Sequence, residues 1–475
     1  MLTRRRALAS LLGATAAHAV AQSPARRKPN FVVILADDLG YGDLGCYGSP
    51  DVPTPNIDSI ANSGVRFTSG YVSAPVCSPS RAALMTGRYQ QRFGHEHNCG
   101  PAARDLAQHL GLPLTEITLP QLLKAAGYST GMVGKWHLGM NPEFHPISRG
   151  FDEYFGFLAG ANSYMVKGTI GGVEEDTDEA ESKMGVLESR RQPIFQARDA
   201  VQETEYLTDA FGREAVSFIQ RQTQRPNPFF LYLPFNAVHV PLQATQRYLD
   251  RFASIKDVRH RFLAAMTCAM DDNVGKVLGA LRSTGVEQDT MVLFLSDNGC
   301  PTYTRAGSNG PLNGCKLTLY EGGFRVPFMA RWPGKIKPRQ VIDTPVVSRD
   351  IFPTLLRAAA VDLPKDREFD GLDLMPLLSG AAQRLDRDAL FWRNGPNQAV
   401  RRGDWKLIQL GDQTRLYNLK SDLGEKRDVA AANAPVVTEL KSALADWNKK
   451  LVPAKWPTRL TVDIPINGQK IGWTV

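Results

Sequence analysis

Continuous apolar runs alternate with amphipathic stretches over most of the chain. Four runs are long enough to be strands buried on both faces, and they span residues 31–36, 128–133, 228–233 and 290–295. Apolar residues recur at helical spacing between them, in residues 118–127, 208–222 and 262–282. This alternation predicts an α/β fold, with a mixed, mainly parallel sheet flanked by helices, for a large domain over residues 28–375.

The pattern changes near residue 375, where the apolar runs become shorter and are separated by turns. Short strands of a small antiparallel sheet are expected at residues 388–392, 398–401, 405–410 and 415–419. Pro435 then opens a helix with an apolar stripe, typical of a face that packs against a core. The stripe consists of Val437, Leu440, Leu444, Trp447 and Leu451. Residues 376–475 are therefore predicted to form a C-terminal subdomain.

Polar side chains follow each of the four long apolar runs. Asp37 and Asp38 follow the first run, and Asp297 and Asn298 follow the last. The other two runs are followed by Lys135, His137 and His239. Because ligands bind at the carboxyl ends of strands in open α/β sheets, this recurrence predicts one site at one edge of the sheet. The first four side chains offer only oxygen, which suits a hard cation; Ca²⁺ is favoured, and Mg²⁺ stays open.

A capped helix is predicted around Cys77. Ser78 is a suitable N-cap, Pro79 suits the first turn, and Gly87 is a natural stop. Cys77 would then lie at a helix N-terminus, where free N–H groups favour negative charge. Arg81 lies about one turn further on and adds a positive charge on the same side.

Two long motifs resemble the signatures of a known family. Residues 77–88 read Cys-Ser-Pro-Ser-Arg-Ala-Ala-Leu-Met-Thr-Gly-Arg, which resembles the first signature of the type I, formylglycine-dependent sulfatases. Residues 127–139 read Gly-Tyr-Ser-Thr-Gly-Met-Val-Gly-Lys-Trp-His-Leu-Gly, which resembles the second. The likeness extends over residues 29–455 and implies an arylsulfatase-like enzyme of the alkaline phosphatase superfamily, with residues 28–375 as its catalytic domain.

The resemblance also implies a mechanism. A separate formylglycine-generating enzyme would oxidise Cys77 to Cα-formylglycine, one hydroxyl of the hydrated aldehyde would attack sulfur, and the second would help to expel sulfate. The four oxygen ligands would hold the metal together with an oxygen of the modified Cys77. Arg81 would hold the formylglycine, Lys135 would bind the sulfate, and His137 would accept the proton in the elimination step.

The remaining predicted site residues come from shorter motifs. His239 begins His-Val-Pro after a strand, and Lys316 lies in Gly-Cys-Lys-Leu-Thr-Leu-Tyr-Glu-Gly-Gly. The resemblance implies that both bind the ester and protonate the leaving oxygen, and that Asp297 serves as a base toward the attacking hydroxyl. His95 and His97, in Phe-Gly-His-Glu-His-Asn, are predicted to touch substrate, with surface histidines as the alternative.

The chain contains six cysteines but no CxxC or Cys/His zinc spacing. Cys300 and Cys315 stand where the family commonly has glycine, close to Asn298 and Lys316 respectively. They flank a loop between two site residues, so a disulfide and a pair of free thiols are both open in an oxidising compartment.

The N-terminus predicts export. Three arginines at residues 4–6 precede an apolar run over residues 7–20 with small-residue cleavage sites, which predicts a signal peptide over residues 1–21. The run is too short to span a bilayer, so an exported protein without a membrane anchor is expected, in a bacterial periplasm or secreted. Removing residues 1–21 lowers the formal net charge from +8 to +5, which suits an anionic substrate or an ordinary solvated surface. A nucleic-acid partner is not expected.

The expected function is hydrolysis of sulfate monoesters, with sulfated carbohydrate favoured over free aryl sulfate because export suggests scavenging of external polymers. One alternative is a phosphonate monoester hydrolase or phosphodiesterase of the same superfamily, which can use the same Cys-x-Pro-x-Arg start. The other is a glycan-binding protein whose cysteine is never modified. The sugar depends on loops such as residues 95–115, 160–203 and 300–314, which carry no transferable code. Residues 160–203, glycine-rich and then acidic, are predicted to form a surface lobe or a solvated insertion.

Overall fold

The computed structural model describes residues 28–100, 102–165, 172–175 and 192–474. Its strands are β1 Asn30–Ala36, β2 Val65–Phe67, β3 Gly70–Tyr71, β4 Ser129–Lys135, β5 Glu153–Phe157, β6 Gly172–Glu175, β7 Ile194–Gln196, β8 Asp199–Val201, β9 Phe229–Pro234, β10 Leu242–Thr245, β11 Thr290–Ser296, β12 Phe328–Arg331, β13 Gln340–Ile342, β14 Val346–Val347, β15 Leu390–Asn394, β16 Asn397–Arg402, β17 Trp405–Leu410, β18 Gln413–Asn418, β19 Thr461–Ile466 and β20 Gln469–Thr474. Its α-helices are α1 Pro55–Asn62, α2 Cys77–Thr86, α3 Ala102–Gln108, α4 Leu119–Ala125, α5 Leu207–Thr223, α6 Gln246–Leu249, α7 Val258–Ser283, α8 Glu321–Phe324, α9 Ile351–Ala358, α10 Met375–Leu378 and α11 Ala434–Asn448.

Ten of the described strands form the central sheet, in the order β13-β2-β12-β11-β1-β9-β4-β5-β7-β8. The middle block, from β11 to β5, is parallel throughout. Antiparallel strands flank it on both sides, with β12 next to β11 and β7 next to β5. The predicted mixed, mainly parallel sheet is confirmed, and all four predicted long strands lie in its parallel block.

The alternating side chains of β1 enter two different hydrophobic cores. Phe31, Val33 and Leu35 pack on one face of the sheet, in the core that also contains residues of α2, α4 and α9. Val32 and Ile34 pack on the other face, with residues of α1, α5 and α7. Because both faces are covered by helices, the strand has no solvated side and its sequence is apolar throughout.

The C-terminal sheet consists of β15, β16, β17 and β18 in antiparallel order. One face packs against α11, through the buried Leu440, Leu444 and Trp447. Leu451, which was expected in the same helical stripe, packs against the same core but lies beyond the end of α11 at Asn448, so only its helical placement is wrong. The predicted small antiparallel sheet with one helix is nevertheless confirmed.

The other face of this sheet belongs to the core of the large domain. Trp392 of β15 stacks on Phe324 of α8, with ring centroids 4.2 Å apart. A fully buried ion cluster lies beside this stack, because Lys406 Nζ is 2.9 Å from Glu321 Oε1 and 2.7 Å from Glu425 Oε1. The two predicted domains therefore share one continuous interior, and their boundary at residue 375 stays a prediction.

The terminal hairpin of β19 and β20 was not predicted. Its turn contains Asn467 and Gly468, with φ of 50° and 78°, the pair of positive angles that a type I′ turn requires. The Asn-Gly dipeptide between two alternating runs was the signal in the sequence. Trp473 of β20 is fully buried in the same core as Trp392, so the hairpin of β19 and β20 is part of the fold.

The predicted signal peptide over residues 1–21 lies outside the described residues, and so do residues 166–171 and 176–191, which are half of the predicted lobe over residues 160–203. None of the helices in the described ranges combines the length and the apolar character that crossing a membrane requires.

Candidate active site

The carboxyl ends of β1 and β11 bring the four predicted oxygen ligands together. The parallel register aligns the last residues of the two strands, so Asp37 and Asp297 leave the sheet side by side. Asn298 Nδ2 donates a hydrogen bond to Asp38 Oδ1 at 2.6 Å, and all four side chains are buried. Asp38 has a φ of 62°, a left-handed conformation that aspartate adopts more readily than most residues.

Helix α2 places Cys77 against these carboxylates. Cys77 is the first residue of the helix, and its Sγ lies 3.4 Å from Asp37 Oδ1. The helix ends before Gly87, which has the left-handed φ of 68° expected for a stop. Ser78 is not the N-cap, because Val76 occupies that position and Ser78 is the second helical residue. The predicted helix N-terminus beside Cys77 is present, and the helix begins two residues earlier than the predicted cap at Ser78 implied.

Three cationic side chains pair with the three carboxylates of the site. The pairs are Lys135 Nζ with Asp37 Oδ2 at 2.5 Å, Arg81 Nε with Asp297 Oδ2 at 2.9 Å, and Lys316 Nζ with Asp38 Oδ2 at 2.8 Å. Arg81 Nη1 also donates to the carbonyl oxygen of Lys135 at 2.9 Å, which ties α2 to the end of β4. Charges buried this deeply persist only when they are paired, so the site is a set of matched ion pairs.

The environment separates the acidities of the carboxylates. Burial raises the pKa of both Asp37 and Asp38, but the neighbouring positive charges together outweigh it, with Lys135 contributing most at Asp37 and Lys316 most at Asp38. The pKa of each therefore lies below its ordinary value. Burial, together with the adjacent Asp37, raises the pKa of Asp297, so Asp297 is the more basic member of the neighbouring pair.

The thiol of Cys77 is not prepared as a nucleophile. Burial, reinforced by the negative charge of Asp297, raises its pKa well above the usual value for cysteine. The opposing effects of Lys135 and Lys316 are smaller. Since the thiolate is the reactive form, a direct attack by the sulfur of Cys77 is disfavoured in this environment.

His137 presents an unprotonated nitrogen to the site. Its Nε2 lies 3.0 Å from the carbonyl oxygen of Cys99, which can only accept, so Nε2 carries the proton of the ring. Burial, reinforced by Lys135, lowers the pKa of His137 well below its usual value and keeps the ring neutral. Nδ1 is therefore a lone-pair acceptor, and it has no hydrogen-bond partner among the described residues.

His239 approaches the site from the loop after β9. Its Nδ1 donates to the carbonyl oxygen of Val240 at 2.6 Å, and its Nε2 lies 3.6 Å from Asp38 Oδ2. Burial, together with the charge of Lys316, lowers the pKa of His239. His239 and Lys316 thus converge on the same carboxylate oxygen, as two residues that act on one substrate atom would.

Two hard oxygen donors, Asp37 and Asp38, belong to a cluster that could hold a metal ion. One ligand atom each from Asp37, Asp38, Cys77 and His239 lies within 4.8 Å of the others. Asn298 Oδ1 is buried and, within the described part of the chain, accepts no hydrogen bond. A buried acceptor without a donor is costly, and a cation beside Asp38 would satisfy it.

Comparison with known proteins decides the family. A family model described as Sulfatase matches residues 29–361, which is more than half of the chain. The chain belongs to the sulfatase family. A second model, described as N-sulphoglucosamine sulphohydrolase, C-terminal, matches residues 315–450. The sulfatase fold thus covers both the central sheet and most of the C-terminal subdomain.

Individual relatives agree with this assignment. The N-acetylgalactosamine-6-sulfatase of Mus musculus is 39% identical over 395 residues, covering 80% of this chain and 72% of the relative. The steryl-sulfatase of Homo sapiens is 35% identical over 433 residues, covering 78% and 73%. The solved structure of Ps i-CgsB in complex with k-i-k-neocarrahexaose has a TM-score of 0.82 and 34% identity, covering 90% of this chain and 95% of that one. The protein is a sulfuric ester hydrolase on the alkaline-phosphatase-like fold.

His95 lies in the interior, so the surface alternative is not realised, and its predicted substrate contact stays a prediction. It is fully buried, and its Nε2 lies 2.6 Å from Ser78 Oγ, while the backbone N–H of Ser78 donates to Asn98 Oδ1 at 3.0 Å. These two contacts occupy Ser78, which explains why it does not cap the helix. His95 therefore supports the start of α2 in this sulfatase. His97 retains 8% exposure, and its predicted substrate contact stays a prediction.

Cys300 and Cys315 are both free thiols and both buried. The disulfide alternative is not realised in the structure. The segments are held together without it, because the N–H of Lys316 donates to the carbonyl oxygen of Cys300 at 3.2 Å.

Proposed function

We propose that this chain hydrolyses sulfate monoesters of carbohydrates, with a formylglycine made from Cys77 and a bound divalent metal. The observation that supports this most directly is the position of Cys77. It is buried at the first turn of α2, beside Asp37, among three carboxylate–cation pairs. The raised pKa of its thiol argues against an unmodified cysteine as the nucleophile. Formylglycine would supply a hydroxyl nucleophile at that place instead.

Asp37, Asp38, Asp297 and Asn298 would hold the metal. When bound there, it would supply positive charge that favours ionisation of a hydroxyl and stabilises oxygen anions. Carboxylate and amide oxygens support a hard cation, and we propose Ca²⁺ in preference to Mg²⁺ because Ca²⁺ accepts a larger and less regular oxygen shell. The partnerless Asn298 Oδ1 supports this assignment independently of the family.

Arg81, Lys135 and Lys316 would bind the sulfate group. All three are buried and lie on carboxylates that surround Cys77. Their fixed positive charge, in a site shielded from water, would stabilise the negative charge that spreads over the nonbridging oxygens in the transition state. We assign Lys135 and Arg81 to the sulfate and the Cys77 side, and Lys316 to the ester oxygen.

Proton transfer would be divided between two sides of the site. His137 Nδ1 is a lone-pair acceptor and would take a proton from the residue made from Cys77. Lys316 Nζ is a cationic donor beside Asp38 and would protonate the leaving oxygen. His239, with Nε2 directed at the same carboxylate, would orient the ester.

Sulfated carbohydrate is the proposed substrate class. One relative above 35% identity is an N-acetylgalactosamine-6-sulfatase, and a structural neighbour is a complex with neocarrahexaose. Because another relative is a steryl-sulfatase, small aromatic and steroid sulfates are the second substrate class to test. We also propose export with removal of residues 1–21, which supports external polymers as the source of substrate.

The test is mass spectrometry of the tryptic peptide over residues 67–81, from protein made together with a formylglycine-generating enzyme. We expect an aldehyde in place of the thiol of Cys77, together with sulfate release from sulfated galactan oligosaccharides. Full activity with an unmodified Cys77 would refute the formylglycine. Faster turnover of an aryl phosphonate than of an aryl sulfate would favour the phosphonate hydrolase. Binding of sulfated sugar without release of sulfate would favour the glycan-binding protein.

A further inference from the structure

The loop that carries Lys316 is held by the C-terminal part of the chain. We define the Lys316 loop as residues 313–320. Its contacts are Asn313 Nδ2 to the carbonyl oxygen of Glu425 at 3.3 Å, Asn394 Nδ2 to the carbonyl oxygen of Leu317 at 2.9 Å, and Arg415 Nη1 to Tyr320 Oη at 2.8 Å. The partners come from β15, from β18 and from the segment after β18. The loop between β11 and α8 is thus fixed from outside the central sheet.

The contact at Leu317 is the one nearest to Lys316 in the chain. Leu317 has a φ of 78°, a left-handed conformation that residues with a branched side chain rarely adopt. Such a conformation persists only when its surroundings determine it. Two hydrogen bonds fix the peptide units on either side of Leu317, because its N–H donates to the carbonyl oxygen of Pro75 at 2.9 Å and its carbonyl accepts from Asn394.

Asn394 is itself held in one orientation. It is the last residue of β15 and is buried, and its Oδ1 accepts a hydrogen bond from Thr474 Oγ1 at the end of β20. Because the single amide oxygen of Asn394 accepts the hydrogen bond from Thr474, Nδ2 is the group that faces Leu317. The chain of contacts runs from Thr474 through Asn394 and Leu317 to Lys316.

We propose that Asn394 is a positioning residue for the reaction, which holds Lys316 in place through the left-handed Leu317. The inference rests on the proposed function, in which Lys316 protonates the leaving oxygen. Without the amide donor, Leu317 loses the partner of its carbonyl and relaxes toward ordinary backbone angles, and the side chain of Lys316 moves away from Asp38. A displacement of about 1 Å can lower a rate about 100-fold.

The chain offers a matched control. Asn397 is the first residue of β16 and is paired directly with Asn394 in the hairpin. Both asparagines are 4% exposed. Asn397 Nδ2 also donates to a backbone carbonyl, that of Gly472 at 3.1 Å, but this carbonyl belongs to β20 and not to the Lys316 loop. The same substitution at the two positions removes an equivalent hydrogen bond and differs in whether the loop loses its support.

The experiment compares Asn394→Leu with Asn397→Leu in the full chain, after peptide mass spectrometry has shown equal conversion of Cys77. Turnover is measured with aryl sulfates of graded leaving-group stability, from 4-nitrophenyl sulfate to phenyl sulfate. Poor leaving groups depend on protonation and good ones much less. For Asn394→Leu we expect kcat to fall about 100-fold with phenyl sulfate and about tenfold with 4-nitrophenyl sulfate. Asn397→Leu is expected to keep the wild-type dependence on leaving group.

A second variant keeps the proposal testable if Asn394→Leu does not fold. Thr474→Val removes only the hydroxyl that orients Asn394, and we expect a smaller change in the same direction. Equal losses on all leaving groups in Asn394→Leu, or the same change in both asparagine variants, would overturn the proposal. Binding of inorganic sulfate by calorimetry gives a readout that is independent of turnover, and it should weaken in Asn394→Leu alone. A wild-type protein with converted Cys77 and no turnover would refute the proposed function, while the sulfate titration would still decide whether Asn394 positions Lys316.

Discussion

The site has two walls that are built in different ways. The strand-end wall, which contains Asp37, Asp297 and Cys77, follows from the parallel register of β1 and β11 and from the first turn of α2. The loop wall contains Lys316, and its shape depends on Asn394 and on other partners in the C-terminal subdomain. The first wall is a product of sheet geometry. The second is a product of tertiary contacts between distant parts of the chain, and a change outside the catalytic domain can therefore alter it.

The largest effect is expected on the strand-end wall. Cys77→Ala removes the precursor of the nucleophile, and we expect sulfate ester turnover to fall by about 10⁴-fold or more, the scale seen when a nucleophile is removed. Cys46→Ala, a half-buried cysteine whose Sγ contacts Met329, is the control and should keep full activity. Residual turnover of more than a few per cent in Cys77→Ala would contradict the assignment.

The two walls can be compared directly through their lysines. Lys135→Met removes the partner at 2.5 Å of the fully buried Asp37 and leaves only the more distant Arg81 Nη2, at 3.7 Å, beside the same oxygen, so we expect a loss of about 3–5 kcal/mol in the free energy of unfolding. In Lys316→Met, Asp38 keeps the hydrogen bond from the side-chain amide Nδ2 of Asn298 at 2.6 Å. A smaller loss of about 1–3 kcal/mol in the free energy of unfolding is therefore expected. Chemical denaturation with a chelator present measures both losses. Equal losses, or a larger loss in Lys316→Met, would contradict the expected difference between the walls.

Metal binding should stabilise the strand-end wall. At a Ca²⁺ concentration about 100 times Kd, a ligand specific for the folded state adds about 2.7 kcal/mol of stability. We expect a calcium-dependent rise in Tm that is lost in Asn298→Leu, because that side chain supplies the partnerless Oδ1. Asn309→Leu, whose amide bonds only to backbone groups at Cys300 and Gly314, should keep the calcium response. A calcium response retained in Asn298→Leu would remove this residue from the metal site.

The last prediction concerns the pH dependence of the ion cluster behind the loop wall. Burial raises the pKa of Glu425, and the attraction of Lys406 offsets this only in part. The folded state therefore keeps the proton of Glu425 to a higher pH than the unfolded state, in which the pKa is about 4.3. Stability is lost as the pH rises from there toward neutral, because the unfolded state releases its proton first. We expect this loss to be absent in Glu425→Gln, so that the difference in unfolding free energy between variant and wild type grows with pH. Urea denaturation across this range measures it, and a pH-independent difference would contradict the raised pKa.

The sequence was a good guide wherever the controlling pattern was local. The four apolar runs became neighbouring parallel strands, and since parallel strands end at one edge, Asp37 and Asp297 had to meet there. The stop at Gly87 followed from one residue with a positive φ. These features depend on periodicity and backbone freedom, which can be read directly from the chain.

The sequence was a poor guide wherever a distant partner decides. Ser78 has the chemistry of an N-cap, but His95 and Asn98 engage it instead. His95 has the chemistry of a surface ligand, but packing against Trp456, with ring centroids 4.8 Å apart, places it in the interior. No local pattern around Asn394 reveals its contact with Leu317, because the two residues meet only after the C-terminal sheet has docked.

The burial of Cys77 also has a consequence for the order of events during biosynthesis. Its side chain is 1% exposed, and every residue of α2 is buried, so a modifying enzyme cannot reach it once the chain has folded. The core that encloses α2 includes Trp473 of β20, which lies far along the chain from Cys77. Cys77 therefore becomes fully enclosed only when β20 has docked onto this core, and the proposed oxidation has to occur before that step.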